Sequence, residues 1–166
     1  MDLAATLPDS DAAARFDVAN RLFLRLYQAS NLLHKTGTRA VAPFGATTQQ
    51  WAVLGALSRP AERVGGMTVK QMMGFLMVSR QNLTAVLDRL ERAGLVARTR
   101  SAGDGRLRHI RLTERGGQTW AAMQASIRDY YAEALAGFSL EESVALFRLL
   151  DRLRDGLAAI DADEGD

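Results

Sequence analysis

Arginine dominates the chemistry available to this chain. Nine arginines (80, 89, 92, 98, 100, 106, 108, 111 and 115) stand between Ser79 and Arg115 against four acids, so that segment carries +5 although the whole chain is only +2. From Gly116 onward ten acids face four arginines, and the part before Ser79 carries +3. A basic middle of this kind suits a polyanion, because guanidinium groups pair with phosphate oxygens two at a time. Enzyme chemistry is not expected. His34 and His109 are the only histidines and have no ligand-like spacing, so no metal is expected. There is no glycine-rich phosphate loop and no nucleophile with a histidine partner, and no cofactor is expected. The absence of cysteine excludes disulfides, thiolate zinc sites and thiol-based redox sensing.

The side chains in this basic middle need elements that present them. Leu83, Val86, Leu87 and Leu90 recur at helical spacing, which predicts a helix over 79–93 with Ser79 as its cap and Gly94 as its stop. Gln81, Ala85, Asp88 and Arg92 then fall on the opposite face, flanked by Asn82, Thr84 and Arg89. Leu95–Arg100 and Leu107–Leu112 alternate as strands do, and Ser101–Arg106 between them holds the glycines and aspartate of a hairpin tip. A basic hairpin directly after a polar-faced helix is the layout of a winged helix.

Around this centre the periodicity predicts further helices. An apolar stripe through Val18, Leu22, Leu26, Ala29 and Leu33, widened by Phe16, Phe23, Tyr27 and Leu32, predicts a first helix over roughly 11–35 that buries itself against several neighbours, a second copy of the chain among them. After Gly37 the stretch Val41–Gly45 reads as a connector. Thr47-x-x-Gln50, Thr68-x-x-Gln71 and Ser139-x-x-Glu142 have the form of capping boxes, each opening a helix. Arg59–Pro60 and Gly65–Gly66 bracket a loop. The methionines of the Thr68 helix read as flexible core filling. Thr113 caps a helix over roughly 114–135, Val144 to Ile160 mark a last helix, and the acidic tail from Asp161 is expected to fray.

The composition, 48% hydrophobic and 24% charged over 166 residues, is that of one globular domain. The longest uncharged stretch, Ala40 to Ser58, contains Pro43, Thr47, Thr48, Gln49 and Gln50 and is too polar to span a bilayer. No basic region precedes an apolar run at the N-terminus. A cytoplasmic location without membrane contact is therefore expected.

Within Thr68–Gly117 the string VSRQNLTAVLDRLERAGLVARTRSAGDGRLRHIRLTERG resembles the MarR family of transcriptional regulators. The resemblance rests on the Val-Ser-Arg opening of the recognition helix, Asp-Arg-Leu-Glu near its end, Gly-Leu-Val, Arg98, the Asp104-Gly105-Arg106 wing tip, and Leu112-Thr113-Glu114-Arg115-Gly116. It covers about half the chain by motif, and most of the rest by helix order. It implies a mainly α fold with a small β-wing: a winged helix-turn-helix lobe over 46–113, and a helical dimerisation region formed by the terminal helices, 11–37 and 114–160. It also implies a homodimer on a palindromic operator in double-stranded DNA, and repression relieved by a small aromatic or phenolic molecule. The loop Ser58–Gly66 is a little long for the family, and without cysteine its thiol-oxidation branch is closed.

Each residue then has an expected role. Ser79 and the amides after it face phosphate. Gln81 and Asn82 pair with adenine edges, and Arg80 or Arg89 reaches guanine or phosphate. Thr84 touches a thymine methyl or a phosphate. Arg106 enters the minor groove from the wing, residues 100–108, and Arg100 and Arg108 neutralise phosphates beneath it. Asp104 orients Arg106 or, as the resemblance suggests, pairs with Arg98. Family ligand pockets lie between the first helix, the second helix and the start of the fifth, where Arg25, Asn31, His34 and Trp51 are candidate effector contacts. The effector class by analogy is an aromatic carboxylate, a phenol or a derived thioester. The alternative is an architectural or non-specific DNA-binding protein without an effector.

Overall fold

The structure, a computed structural model, describes residues 10–100 and 108–163. In chain order it contains α1 (Ser10–Val41), a 3-10 turn (Ala42–Phe44), α2 (Thr48–Ser58), α3 (Glu62–Gly65), β1 (Met67–Thr68), α4 (Val69–Leu76), α5 (Arg80–Arg92), β2 (Val96–Arg100), β3 (Arg108–Leu112), α6 (Glu114–Ala134) and α7 (Leu140–Asp163). The chain forms two compact units, one up to Ser126 and one from Ile127.

All three capping boxes are formed. Thr47 Oγ1 accepts the Gln50 amide at 3.3 Å while Gln50 Oε1 accepts the Thr47 amide at 2.9 Å. Thr68 with Gln71 and Ser139 with Glu142 repeat the exchange. Each box satisfies two amides that the first helical turn leaves without a partner, which fixes the start of α2, α4 and α7 from residues three apart.

Four boundaries differ from the periodicity. α1 runs on to Val41 rather than ending near residue 35, because its last turns are held from outside by α2. The Thr48 hydroxyl donates to the His34 carbonyl at 3.0 Å, and the Thr48 amide donates to Thr38 Oγ1 at 3.1 Å. Gly37 makes this approach possible: a Cβ there would stand 3.1 Å from Thr48 Oγ1 and 3.3 Å from the Trp51 ring. The loop after α2 contains the one-turn helix α3. Met67–Thr68 pairs with β3 as an additional strand, Met67 opposite Ile110 and Thr68 opposite His109. At the other end α7 remains helical through Asp163, beyond the expected fray at Asp161.

The three strands form an antiparallel sheet in the order β1-β3-β2. Val96 pairs with Leu112, Arg98 with Ile110 and Arg100 with Arg108. Leu54, Leu57, Met72, Leu83, Leu87, Leu90 and Ile110 are all almost fully buried and form the core on which α5 and the sheet rest. The methionines divide: Met67, Met72 and Met123 are buried as core filling, whereas Met77 is exposed.

A second tie holds the far end of the lobe. The Thr113 hydroxyl accepts the Gly116 amide at 2.9 Å, capping α6, and donates to the Gly94 carbonyl at 2.6 Å. The Thr113 amide donates to the Leu95 carbonyl at 3.1 Å. A side chain at Gly116 would collide with that same Leu95 carbonyl, so glycine is required there for α6 to start beside the end of α5.

Candidate nucleic-acid interface

α5 separates its two faces as its spacing requires. Leu83, Val86, Leu87 and Leu90 are buried, whereas Arg80, Gln81, Asn82, Thr84 and Arg89 are exposed. Ser79 caps the helix, its Oγ accepting the Asn82 amide at 3.3 Å. Its own hydroxyl proton is not used by this contact. The first-turn amides and the partial positive charge of the helix end therefore open to solvent together with an exposed serine donor, a combination suited to a phosphate.

The turn that delivers Ser79 is strained. Met77 closes α4 in the left-handed region with φ 52, a conformation that ordinarily falls to glycine or asparagine. Its amide donates to the Met73 carbonyl, and so does that of Val78 at 3.3 Å, which fixes the angle between α4 and α5.

Thr84 is narrowed by its own hydrogen bond. Its hydroxyl donates to the Arg80 carbonyl at 2.8 Å, leaving the methyl and an acceptor lone pair outward. A phosphate oxygen requires a donor, so this geometry suits contact with a methyl group better.

Arg98 reaches from β2 to α5, its Nη2 2.7 Å from Asp88 Oδ1 and its Nη1 3.4 Å from Glu91 Oε2. Sequence spacing does not reveal this arrangement, since Asp88 reads as one more polar residue on the outward face. Arg92 folds back on the same helix, its Nε donating to the Asp88 carbonyl at 3.2 Å. Arg108 is exposed at the root of the hairpin and lies opposite Arg100 in the strand register. Asp104 and Arg106 lie outside the described residues.

The candidate effector residues lie on α1 and α2. At the contact between α1 and α2 the His34 carbonyl accepts the Thr48 hydroxyl and the Trp51 ring stands beside Gly37; the His34 side chain is exposed, whereas Trp51 is only 7% exposed. Asn31 is exposed one turn earlier on α1. Arg25 stands further back, its Nη1 donating to Gln28 Oε1 at 2.9 Å. His109 is half-buried on β3, its Nδ1 enclosed without a hydrogen-bond partner among the described residues. Among those residues no group of three or more acids and histidines is placed to hold a metal ion.

A helix-turn-helix whose second helix is capped and polar outward, backed by a three-stranded sheet carrying a basic hairpin, defines a winged helix-turn-helix protein. Residues 44–107 match the model of the MarR family. The transcriptional activatory protein BadR of Rhodopseudomonas palustris is 47% identical over 154 residues, covering 92% of this chain and 87% of that protein. The chain belongs to the MarR family of transcriptional regulators. Among solved structures, AbfR of Staphylococcus epidermidis superposes with a TM-score of 0.74 at 26% identity, covering 89% of this chain and 97% of that one. A DNA-bound form, the overoxidized AbfR, gives 0.69 at 27%, covering 87% and 98%. The organohalide-sensing regulator RdhR-CbdbA1625 in its 2,4-dichlorophenol-bound form gives 0.73 at 20% identity, covering 94% and 89%, a likeness of fold.

Proposed function

We propose that this MarR-family regulator binds a palindromic operator as a homodimer, with the recognition helix (79–93) in the major groove and the wing (100–108) in the minor groove, and that a small aromatic effector changes its affinity. The observation that carries the reading is the outward face of α5, where a capped, solvent-open helix end is followed by Arg80, Gln81, Asn82, Thr84 and Arg89, all exposed. Gln81 and Asn82 suit adenine edges, Arg80 and Arg89 suit guanine or phosphate, and the Thr84 methyl suits thymine. Arg100 opposite Arg108 in the strand register points the same way, since two cationic residues at one position of the strand pair suit a phosphate.

The homodimer rests on the exposed apolar faces of α1 and α7. Phe16, Leu22 and Tyr27 on the first, and Val144, Phe147, Leu150 and Ile160 on the second, are all at least 40% exposed, which is unusual for the surface of a soluble monomer. The effector site is assigned to Arg25, Asn31, His34 and Trp51, supported by the dichlorophenol held by a regulator of the same fold. The protein works where its DNA is, in the cytoplasm.

The family resemblance put repression first. The relative named as an activatory protein favours activation instead, and both outcomes use the same DNA-binding surface. Selection of duplex DNA from a random pool tests the reading, followed by binding of the recovered site by wild type and Arg106→Ala across a salt series. A palindrome bound with a steep salt slope, and weakened by the substitution, is expected. Equal affinity for recovered and random duplexes would instead leave an architectural DNA-binding protein. Release of the recovered site by aromatic carboxylates or phenols identifies the effector class, and transcription from a promoter carrying that site gives the sign of regulation.

A further inference from the structure

We propose that Arg98 is a positioning residue for operator recognition: it ties β2 to the recognition helix and so sets the distance between the helix and the β2–β3 strand pair. The inference rests on the DNA-binding reading of this lobe. Arg98 is anchored from below, because it stands opposite Ile110, which is buried in the core. From there its two terminal nitrogens reach Asp88 at 2.7 Å and Glu91 at 3.4 Å, three residues apart on one face of α5.

Two consequences follow for a surface that meets DNA. With both terminal nitrogens directed at carboxylates, Arg98 is committed to the protein rather than to a phosphate. The two acids sit among Arg89 and Arg92, where uncompensated negative charge would oppose a polyanion, and Arg98 offsets it. The Arg98 side chain is 29% exposed, and Asp88 and Glu91 are 49% and 41% exposed. Ion pairs at this exposure contribute little to folding stability, so the value of the arrangement is geometric: one guanidinium held by two carboxylates fixes a direction as well as a distance.

The test uses the full chain, the duplex recovered by selection and a scrambled duplex of equal length, with wild type, Arg98→Ala, Arg98→Lys, Asp88→Ala and the Asp88→Ala/Arg98→Ala pair. Arg98→Ala is expected to weaken the recovered duplex about tenfold and the scrambled duplex far less, by the repulsion of the two freed acids alone, with the salt slope unchanged because no phosphate contact is removed. Asp88→Ala alone should lower the preference for the recovered site, and the double variant should be no worse than Arg98→Ala. Arg98→Lys should recover only part of the preference, since a point charge cannot hold both acids at once. A salt slope reduced by about one would make Arg98 a phosphate contact and overturn the proposal. Equal losses on both duplexes, or independent additive effects of the two alanines, would also overturn it. If Arg98→Ala loses its cooperative melting transition, Arg98→Lys and Asp88→Ala carry the same comparison. A wild type that recovers no common duplex overturns the DNA-binding reading and the positioning role with it, whereas a selective wild type with unaffected variants overturns the positioning role alone.

Discussion

The recognition helix and the terminal helices are all amphipathic, yet they treat their apolar faces in opposite ways. On α5, Leu83, Val86, Leu87 and Leu90 are at most 7% exposed, so the helix is completed by the lobe around it and only its polar face is offered outward. On α7, Phe147 is 64% exposed and Ile160 61%, and on α1 Phe16 is 71% exposed, so these helices present to solvent the kind of residue that α5 conceals. The core of the lobe is closed within one chain, whereas the terminal helices leave apolar residues uncovered, on the faces assigned above to the proposed dimer.

The largest expected effect lies in the lobe. Leu87→Ala removes a side chain that is 1% exposed, and should cost about 2–5 kcal/mol through lost contact and a residual cavity. Its Tm should fall by a similar amount at every protein concentration. Phe147→Glu on α7 should behave in the opposite manner, weakening self-association roughly a hundredfold, read by sedimentation equilibrium, while leaving the secondary structure of the isolated chain intact. If its Tm fell independently of concentration, the contrast between the two regions would be lost. Met77→Gly sharpens the comparison from the other side: glycine takes the left-handed conformation without strain, so the α4–α5 turn should gain about 1 kcal/mol and a few degrees in Tm. No gain would mean that the exposed Met77 side chain makes contacts that offset the strain.

The candidate site was legible wherever its geometry is local. Ser79 as a cap, the buried and exposed faces of α5 and the three capping boxes all depend on residues three or four apart, and helical periodicity sets those relations before any tertiary contact forms. The alternation of the two hairpin strands is likewise a property of consecutive residues. Thr113 was readable as a cap from its position ahead of Glu114, but its second bond, to the Gly94 carbonyl, was not.

What only the tertiary structure decided involves residues far apart in sequence or elements too short to carry a period. Two residues cannot display alternation, so β1 exists because β3 offers it hydrogen bonds. α1 continues past Lys35 because Thr48 of α2 reaches its last turns, and Gly37 lets the two helices approach there, where a Cβ would press tightly on Thr48 and Trp51. Arg98 meets Asp88 and Glu91 because the sheet turns β2 back beneath α5, whereas its neighbours in sequence gave no sign of which acid it would choose. Composition and spacing thus determined where the longer helices form and which face of the recognition helix is polar, since those follow from the backbone's own repeat. The fold alone set the distances between elements, because they arise from packing between residues that the chain brings together only when it closes.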